Sequence, residues 1–273
     1  MSSGSTLRDR DLTQECYLSV VIPAYNEEKR LPGTLKRVYD YLSNQAMSFE
    51  VIVVDDGSTD GTVAMAERFF QTRQCGKVLK NDKNQGKGFS VKRGVLHAQG
   101  RYIVFSDADL STPIEELKKL LLPLTGGSCD VAIASRGHQE SAIRISQLWY
   151  RSMMGKTFNV LVQQFAVPGI KDTQCGFKCF TNRTAMHLFS QQRLTGFSFD
   201  VEILFIARRA RYTIQEIPVA WINSPDSRVH IVTDSARMLL DLGRIRLNDL
   251  IGRYSYQETR TKFATKPEKS FRS

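Results

Sequence analysis

Nowhere does the sequence reach the roughly 18 to 20 consecutive apolar residues that a membrane-crossing helix needs, and residues 1–15 are too polar for a secretory signal. Cysteine is scarce. The five present, Cys16, Cys75, Cys129, Cys175 and Cys179, form an odd set without a C-x-x-C pair, which excludes a complete disulfide framework and a zinc knuckle. The four histidines, His97, His138, His187 and His230, form no cluster. G-x-x-x-x-G-K-[ST] is missing, so an NTPase reading loses its main support. These absences predict a protein of a reducing compartment, soluble or peripheral, with its sites facing the cytoplasm.

What is present is the composition of a folded globular chain: 273 residues, 41% hydrophobic and 24% charged. The net charge of +10 is unevenly placed, with 18 basic against 17 acidic residues in 1–136 and 20 against 11 in 137–273. Such an excess suits a polyanionic partner: nucleic acid, an anionic membrane surface or a phosphorylated substrate.

The first half alternates β-branched runs with longer amphipathic stretches. Leu18–Tyr25, Phe49–Asp55, a short run near Lys77–Asn81, Tyr102–Ser106 and Val131–Ser135 read as strands. Between them, helices are expected at about Pro32–Ser43, from Ser58 or Thr59 onward, and at Gly86–Ala98. Near-continuous apolar strands separated by helices imply a mostly parallel sheet covered on both faces, an α/β doubly wound, Rossmann-like architecture in a single domain. Beyond residue 137 a helix is expected over Ile143–Phe165, strands over Phe177–Thr181 and Thr213–Ile222, and an amphipathic helix over about Val232–Ile251 carrying Arg237, Arg244 and Arg246. Residues 1–16 read as a polar extension, 17–253 as the domain (17–136 and 137–253 as its halves), and 254–273 as a disordered tail.

In doubly wound sheets ligands gather at the carboxyl ends of the strands, and the unusual residues fall there. Pro23-Ala-Tyr-Asn-Glu27 follows the first strand, Asp55-Asp-Gly-Ser58 the second, and Asp107-Ala-Asp109 a later one. Two carboxylates two residues apart at a strand exit can hold Mg2+ or Mn2+, which prefers hard oxygen ligands and shares them with substrate phosphates. Arg136, Arg144, Arg151 and Arg228 are candidates for holding a phosphate, because guanidinium binds phosphate oxygens in bidentate fashion. Cys175 and Cys179 have no further ligand at metal spacing and read as buried thiols.

Four blocks together are specific: SVVIPAYNE at Ser19–Glu27, VIVVDDGSTDGT at Val51–Thr62, NQGKGFSVKRG at Asn84–Gly94 and FSDADLSTP at Phe105–Pro113. They resemble the family 2 inverting glycosyltransferases of the GT-A fold. Ile133–Gly137, Asp172–Phe180 and Gly196–Phe205 resemble its polyprenyl-phosphate branch, the glucosyl-transferring members in particular, and the similarity covers about residues 17–250.

The resemblance implies a nucleotide site shaped by Pro23, Tyr25, Glu27 and Asp56, with Lys87 close by, and a metal pair Asp107 and Asp109. It makes Asp109, Asp172, Asp200 and Arg136 the candidates for direct work on the reacting groups, with Asp172 bonding sugar hydroxyls. Asp200 either serves as a base, as in relatives that modify hydroxyls, or only orients the acceptor loop. The expected reaction moves glucose from UDP-glucose to a polyprenyl (dolichyl) phosphate with inversion, with GDP-mannose as the rival donor and a saccharide hydroxyl as the rival acceptor. A phosphate monoester, with a second pKa of about 6, is already a nucleophile near neutral pH and needs no general base. The Gln-x-x-Arg-Trp motif of processive synthases is absent. A non-catalytic nucleotide-sugar binder would be expected to lack a key carboxylate, yet Asp56, Asp107 and Asp109 are all present. Nucleic-acid binding finds no recognisable module. One departure stands out: eukaryotic glucosyl members carry an N-terminal membrane anchor, and residues 1–16 cannot serve as one. The basic C-terminal half, including the helix near Arg237–Arg246, whose alternative is to pack on its own domain, is therefore expected to dock on anionic lipid.

Overall fold

The computed structural model describes residues 16–136, 167–222 and 231–256, and element labels run over these. Seven strands form one sheet in the order β3-β2-β1-β4-β6-β5-β7. β1 is Leu18–Ala24, β2 Phe49–Asp55, β3 Gly76–Lys80, β4 Tyr102–Ser106, β5 Val131–Ser135, β6 Phe177–Thr181 and β7 Ile214–Pro218. The helices are α1 (Leu31–Ser43), α2 (Thr62–Arg73), α3 (Lys87–Leu96), α4 (Leu117–Thr125), α5 (Asn182–Gln191), α6 (Phe199–Arg209) and α7 (Ile231–Leu250).

The apolar strands are buried on both faces for the reason the sequence suggests. In β1, Val20 and Ile22 point into a core closed by α1, α2 and α4, while Val21 points into a second core built with α3, α5, α6 and α7. β4 divides likewise, with Val104 on the first side and Ile103 and Phe105 on the second. Each core side chain of this size removed from water contributes about 1.5–3 kcal/mol, so a polar residue on either face would be costly.

Six strands run in one direction; β6 runs against both of its neighbours, β4 and β5. The reversal positions the site. The segment entering β6, residues 172–176, thereby arrives at the edge where β4 and β5 end.

Beyond shifts of one or two residues at β1, β3 and α3, three boundaries differ from the sequence reading. α2 starts at Thr62, because the Ser58 hydroxyl accepts from the Asn26 N–H (2.8 Å) and the Thr59 N–H donates to Asn26 Oδ1 (2.8 Å), which holds that stretch as a turn. β7 ends at Pro218, well short of Ile222. Tyr254 belongs to the folded domain, 5% exposed and donating to Glu202 (2.7 Å), so the chain stays packed past the expected start of the tail. The helix expected over Ile143–Phe165, together with Arg144, Arg151 and Arg228, lies outside the described residues. Among the described residues no helix is long and apolar enough to cross a membrane.

Candidate active site

β1, β2, β4 and β5 all deliver their carboxyl ends to one edge. At the end of β1, Pro23 pairs in register with Val54 of β2, and Tyr25 just beyond the strand is 37% exposed. Glu27 is buried and accepts from Arg30 Nε (2.7 Å) and Nη2 (2.6 Å). Its carboxylate therefore braces the first turn of α1.

At the end of β2, Asp55 Oδ2 accepts the Gly57 and Ser58 N–H groups, both at 3.1 Å, and buried Oδ1 has no hydrogen-bond partner among the described residues. Asp56 accepts three bonds, from Asn81 Nδ2 (2.8 Å), Gln85 N–H (2.9 Å) and Gly86 N–H (2.8 Å). A carboxylate has about four acceptor positions, so Asp56 can tie down the loop before α3 and still accept one ligand bond. Gly86 has φ +100, and a Cβ there would lie 2.5 Å from the Thr195 carbonyl oxygen. Only glycine lets this loop lie against the segment before α6.

At the end of β4, Lys87 Nζ stands 2.6 Å from Asp107 Oδ1. Burial pushes the Lys87 ammonium down, and Asp107, Asp200 and Asp109 more than offset it, so its pKa is raised. Asp109 Oδ1 accepts the Ser111 N–H at 2.9 Å. The Asp107 carboxylate also rests on Gly176, where a Cβ would sit 2.0 Å from Oδ2 and 2.6 Å from Oδ1. Gly176→Ala is thus expected to displace the Asp107 carboxylate, lower activity at least tenfold and cost about 1–3 kcal/mol by overpacking. Comparing the specific activity and thermal midpoint of the purified variant with wild type checks it.

Among the described residues no three His, Cys, Asp or Glu side chains converge into a complete metal shell. Asp107 and Asp109 nonetheless fit one end of such a site. Both are hard oxygen donors, and the Asp107 side chain is 36% exposed. The remaining ligands of a divalent ion would come from a diphosphate and water, the usual arrangement for magnesium.

On the β5 side, Asp172 Oδ2 accepts from the Arg136 N–H and Nε, both at 2.8 Å, and Oδ1 accepts from Nη2 at 2.9 Å. The guanidinium also lies 5.4 Å from the Trp221 ring centre. Burial pushes the Asp172 carboxyl up, but Arg136 outweighs it and holds it below the ordinary range. Asp172 and Arg136 are brought together as one bidentate unit, with Asp172 fixing the orientation of Arg136.

Asp200, at the start of α6, is 3% exposed and bound through Oδ1 to Lys178 Nζ at 2.5 Å. Lys178 is fully buried and also donates to the Cys175 carbonyl (2.6 Å). Burial raises the Asp200 pKa against the opposing pull of Lys178 and Lys87. Sequence reasoning missed Lys178, Gly176 and Trp221. A lysine inside the apolar run Phe177-Lys-Cys-Phe180 was the available signal, because a charge on a strand buried on both faces must be paired. Cys175 and Cys179 are buried free thiols, and burial pushes the Cys175 thiol up to about 11.

The sequence model of glycosyl transferase family 2 matches residues 19–186, which span every strand from β1 to β6. The chain belongs to glycosyl transferase family 2. It is 38% identical to the human dolichyl-phosphate beta-glucosyltransferase over 255 residues, 89% of this chain and 79% of the relative. The enzyme of the same name from Dictyostelium discoideum is 33% identical over 259 residues, 91% of this chain and 79% of the relative. The fold of this family 2 glycosyltransferase is GT-A. It aligns with glucosyl-3-phosphoglycerate synthase from Mycobacterium tuberculosis, solved with Mn2+, UDP and glucosyl-3-phosphoglycerate, at TM-score 0.61 and 20% identity, covering 87% of this chain and 80% of that one. Mannosyl-3-phosphoglycerate synthase from Rubrobacter xylanophilus aligns at TM-score 0.64 and 16% identity, over 93% of this chain and 79% of that one.

Proposed function

We propose that this family 2 enzyme transfers glucose from UDP-glucose to a polyprenyl phosphate of the dolichyl type, with inversion and with a divalent metal ion. The relatives named above support the glucosyl and dolichyl-phosphate assignments. The observation that carries the choice of acceptor is the state of the carboxylates on that side: Asp172 is committed to Arg136 and Asp200 to Lys178. A sugar hydroxyl needs a free base to take its proton. A phosphate monoester needs only to be positioned, which suits a site where cations occupy both carboxylates.

In this mechanism an acceptor phosphate oxygen attacks the anomeric carbon opposite the diphosphate. The bond from that carbon to the departing diphosphate breaks, and its electron pair leaves with UDP. Asp56 and the Gly86 loop bind the nucleoside portion, and Lys87 lies beside the departing charge. Arg136, fixed by Asp172 and Trp221, orients the attacking phosphate through its remaining donors, which is a positioning contribution. A divalent ion held by Asp107 and Asp109 would neutralise the negative charge gathering on the diphosphate. Transfer of labelled sugar to a short polyprenyl phosphate, with UDP-glucose and GDP-mannose in parallel and with Mg2+ or EDTA, tests the reading. Lipid labelling from UDP-glucose that EDTA abolishes is the expected result. Labelling from GDP-mannose instead would reassign the donor, and nucleotide-sugar hydrolysis without lipid product would favour a hydroxyl acceptor with Asp200 as base.

A lipid acceptor has to be met at a membrane, and we assign that contact, on the cytoplasmic face, to α7. Leu242 and Ile245 turn inward, whereas Leu240 (67% exposed), Leu247, Leu250 (83% exposed) and Ile251 face solvent. Exposed arginines border that stripe, Arg237 and Arg244 on one side and Arg246 on the other. An apolar stripe between cations is the pattern of a helix lying in the lipid interface. Leu240→Glu with Leu247→Glu is expected to cut sedimentation with anionic vesicles at least tenfold while leaving transfer to a water-soluble, short-chain acceptor within twofold. Co-sedimentation and the soluble assay, run side by side, check both halves.

A further inference from the structure

Lys87 is the first residue of α3, and its ammonium is held on Asp107, the first of the two carboxylates assigned to the metal. The Gly86–Gly88 stretch is pinned from below by Asp56 and from the side by the Thr195 and Gly196 carbonyls, and Lys87 Nζ lies 6.0 Å from the Phe199 ring centre. Gly176 lies against the same carboxylate, where a Cβ would meet both Oδ2 (2.0 Å) and Oδ1 (2.6 Å). A divalent ion approaching Asp107 in the empty site would meet an ammonium already bound to the same carboxylate. With side chains 19% and 36% exposed, that like-charge encounter is only partly screened.

A nucleoside diphosphate changes the balance, because it brings two or more negative charges to the same edge and gives Lys87 another partner. Resting on the metal-dependent reading above, we propose that Lys87 is a resident counter-cation of Asp107 that couples the two ligands. The ammonium holds the carboxylate while the site is empty. When the diphosphate binds, Lys87 shifts toward its oxygens, which frees Asp107 for the ion. Metal and nucleotide then bind cooperatively, and because coupling between sites is reciprocal, each tightens the other by the same factor. Lys87 acts here as a positioning residue for the metal site, and the consequence is that the carboxylate pair stays closed to divalent ions until donor arrives.

Mn2+ is the probe, followed by the electron paramagnetic resonance signal of the free ion, with and without UDP and with no sugar transfer involved. Wild-type protein is expected to bind Mn2+ at least tenfold more tightly in the presence of UDP. Lys87→Met, at a side chain 19% exposed, is expected to bind Mn2+ without UDP roughly fivefold more tightly than wild type, the worth of one competing ion pair of about 1 kcal/mol. Its gain from UDP should be correspondingly smaller. Lys87→Arg, which keeps the charge, should behave like wild type within about threefold, and circular dichroism of all three establishes a common fold. If Lys87→Met binds Mn2+ alone no better than wild type while wild type plus UDP binds it well, the coupling role is overturned and the metal reading stands. If wild type binds no Mn2+ even with UDP, both fall.

Discussion

Replacing Asp107 with Asn is expected to lower sugar transfer by roughly 10²- to 10³-fold, the usual loss when one preorganised electrostatic contact to a departing charge is removed. The stability cost should be small by comparison. Its ion pair with Lys87 joins side chains 36% and 19% exposed, and a pair that water reaches contributes about 0–1 kcal/mol. Asn keeps the shape that rests on Gly176 but cannot neutralise a cation, so the variant separates charge from packing. Steady-state rates with UDP-glucose and a short polyprenyl phosphate, set beside the thermal midpoint, decide the matter. A variant that folds like wild type and retains more than a tenth of its activity would remove Asp107 from the chemistry. Asp109→Asn should show the same division with a further local effect, since Oδ1 also secures the Ser111 N–H and with it the turn leaving β4.

The strands were legible in the sequence because a strand covered on both faces cannot alternate, and Val51–Val54 or Ile103–Phe105 admit hardly another reading. The edge where the site forms was legible for the same reason, since Asp55-Asp56 and Asp107-Ala-Asp109 close apolar runs. The direction of β6 was not. Phe177–Thr181 shows its burial but nothing of its polarity, which depends on how the preceding chain returns to the sheet. That single reversal decides that Asp172 meets Arg136 and that Gly176 meets Asp107. The outward stripe of α7 was half legible: Leu239, Leu242, Ile245 and Leu250 all count as apolar, yet only packing separates Leu242 and Ile245, turned inward, from Leu239 and Leu250, left outside. The pairing of Lys178 with Asp200 joins positions on two elements separated by α5, and local pattern carries no information about such a contact.

That buried pair gives the largest effect on stability. Lys178→Met should destabilise the protein by about 3–5 kcal/mol, because it leaves the Asp200 carboxylate buried without its counter-charge. For a domain of this size the thermal midpoint should fall by roughly 6–20 °C. The loss carries a pH signature. Burial holds the Asp200 pKa above its unfolded value even with Lys178 present, so the folded state binds the extra proton and stability falls as pH rises through the interval between the two. Without Lys178 that interval widens upward. The difference between wild type and Lys178→Met should be smallest near about pH 4, the ordinary carboxylate value, and grow with increasing pH until Asp200 ionises in the folded variant. Lys178→Met combined with Asp200→Leu should recover most of the stability and flatten the pH dependence, since an apolar pair of similar volume incurs no desolvation of charge. Activity should not return with it. Lys178 also holds the Cys175 carbonyl, next to the glycine on which Asp107 rests, so a stable double variant with a loosened 175–176 segment should transfer sugar at least tenfold more slowly. Urea denaturation across pH 4 to 8, paired with the transfer assay, reads both effects. Recovery of full activity in the double variant would mean that the pair serves stability alone.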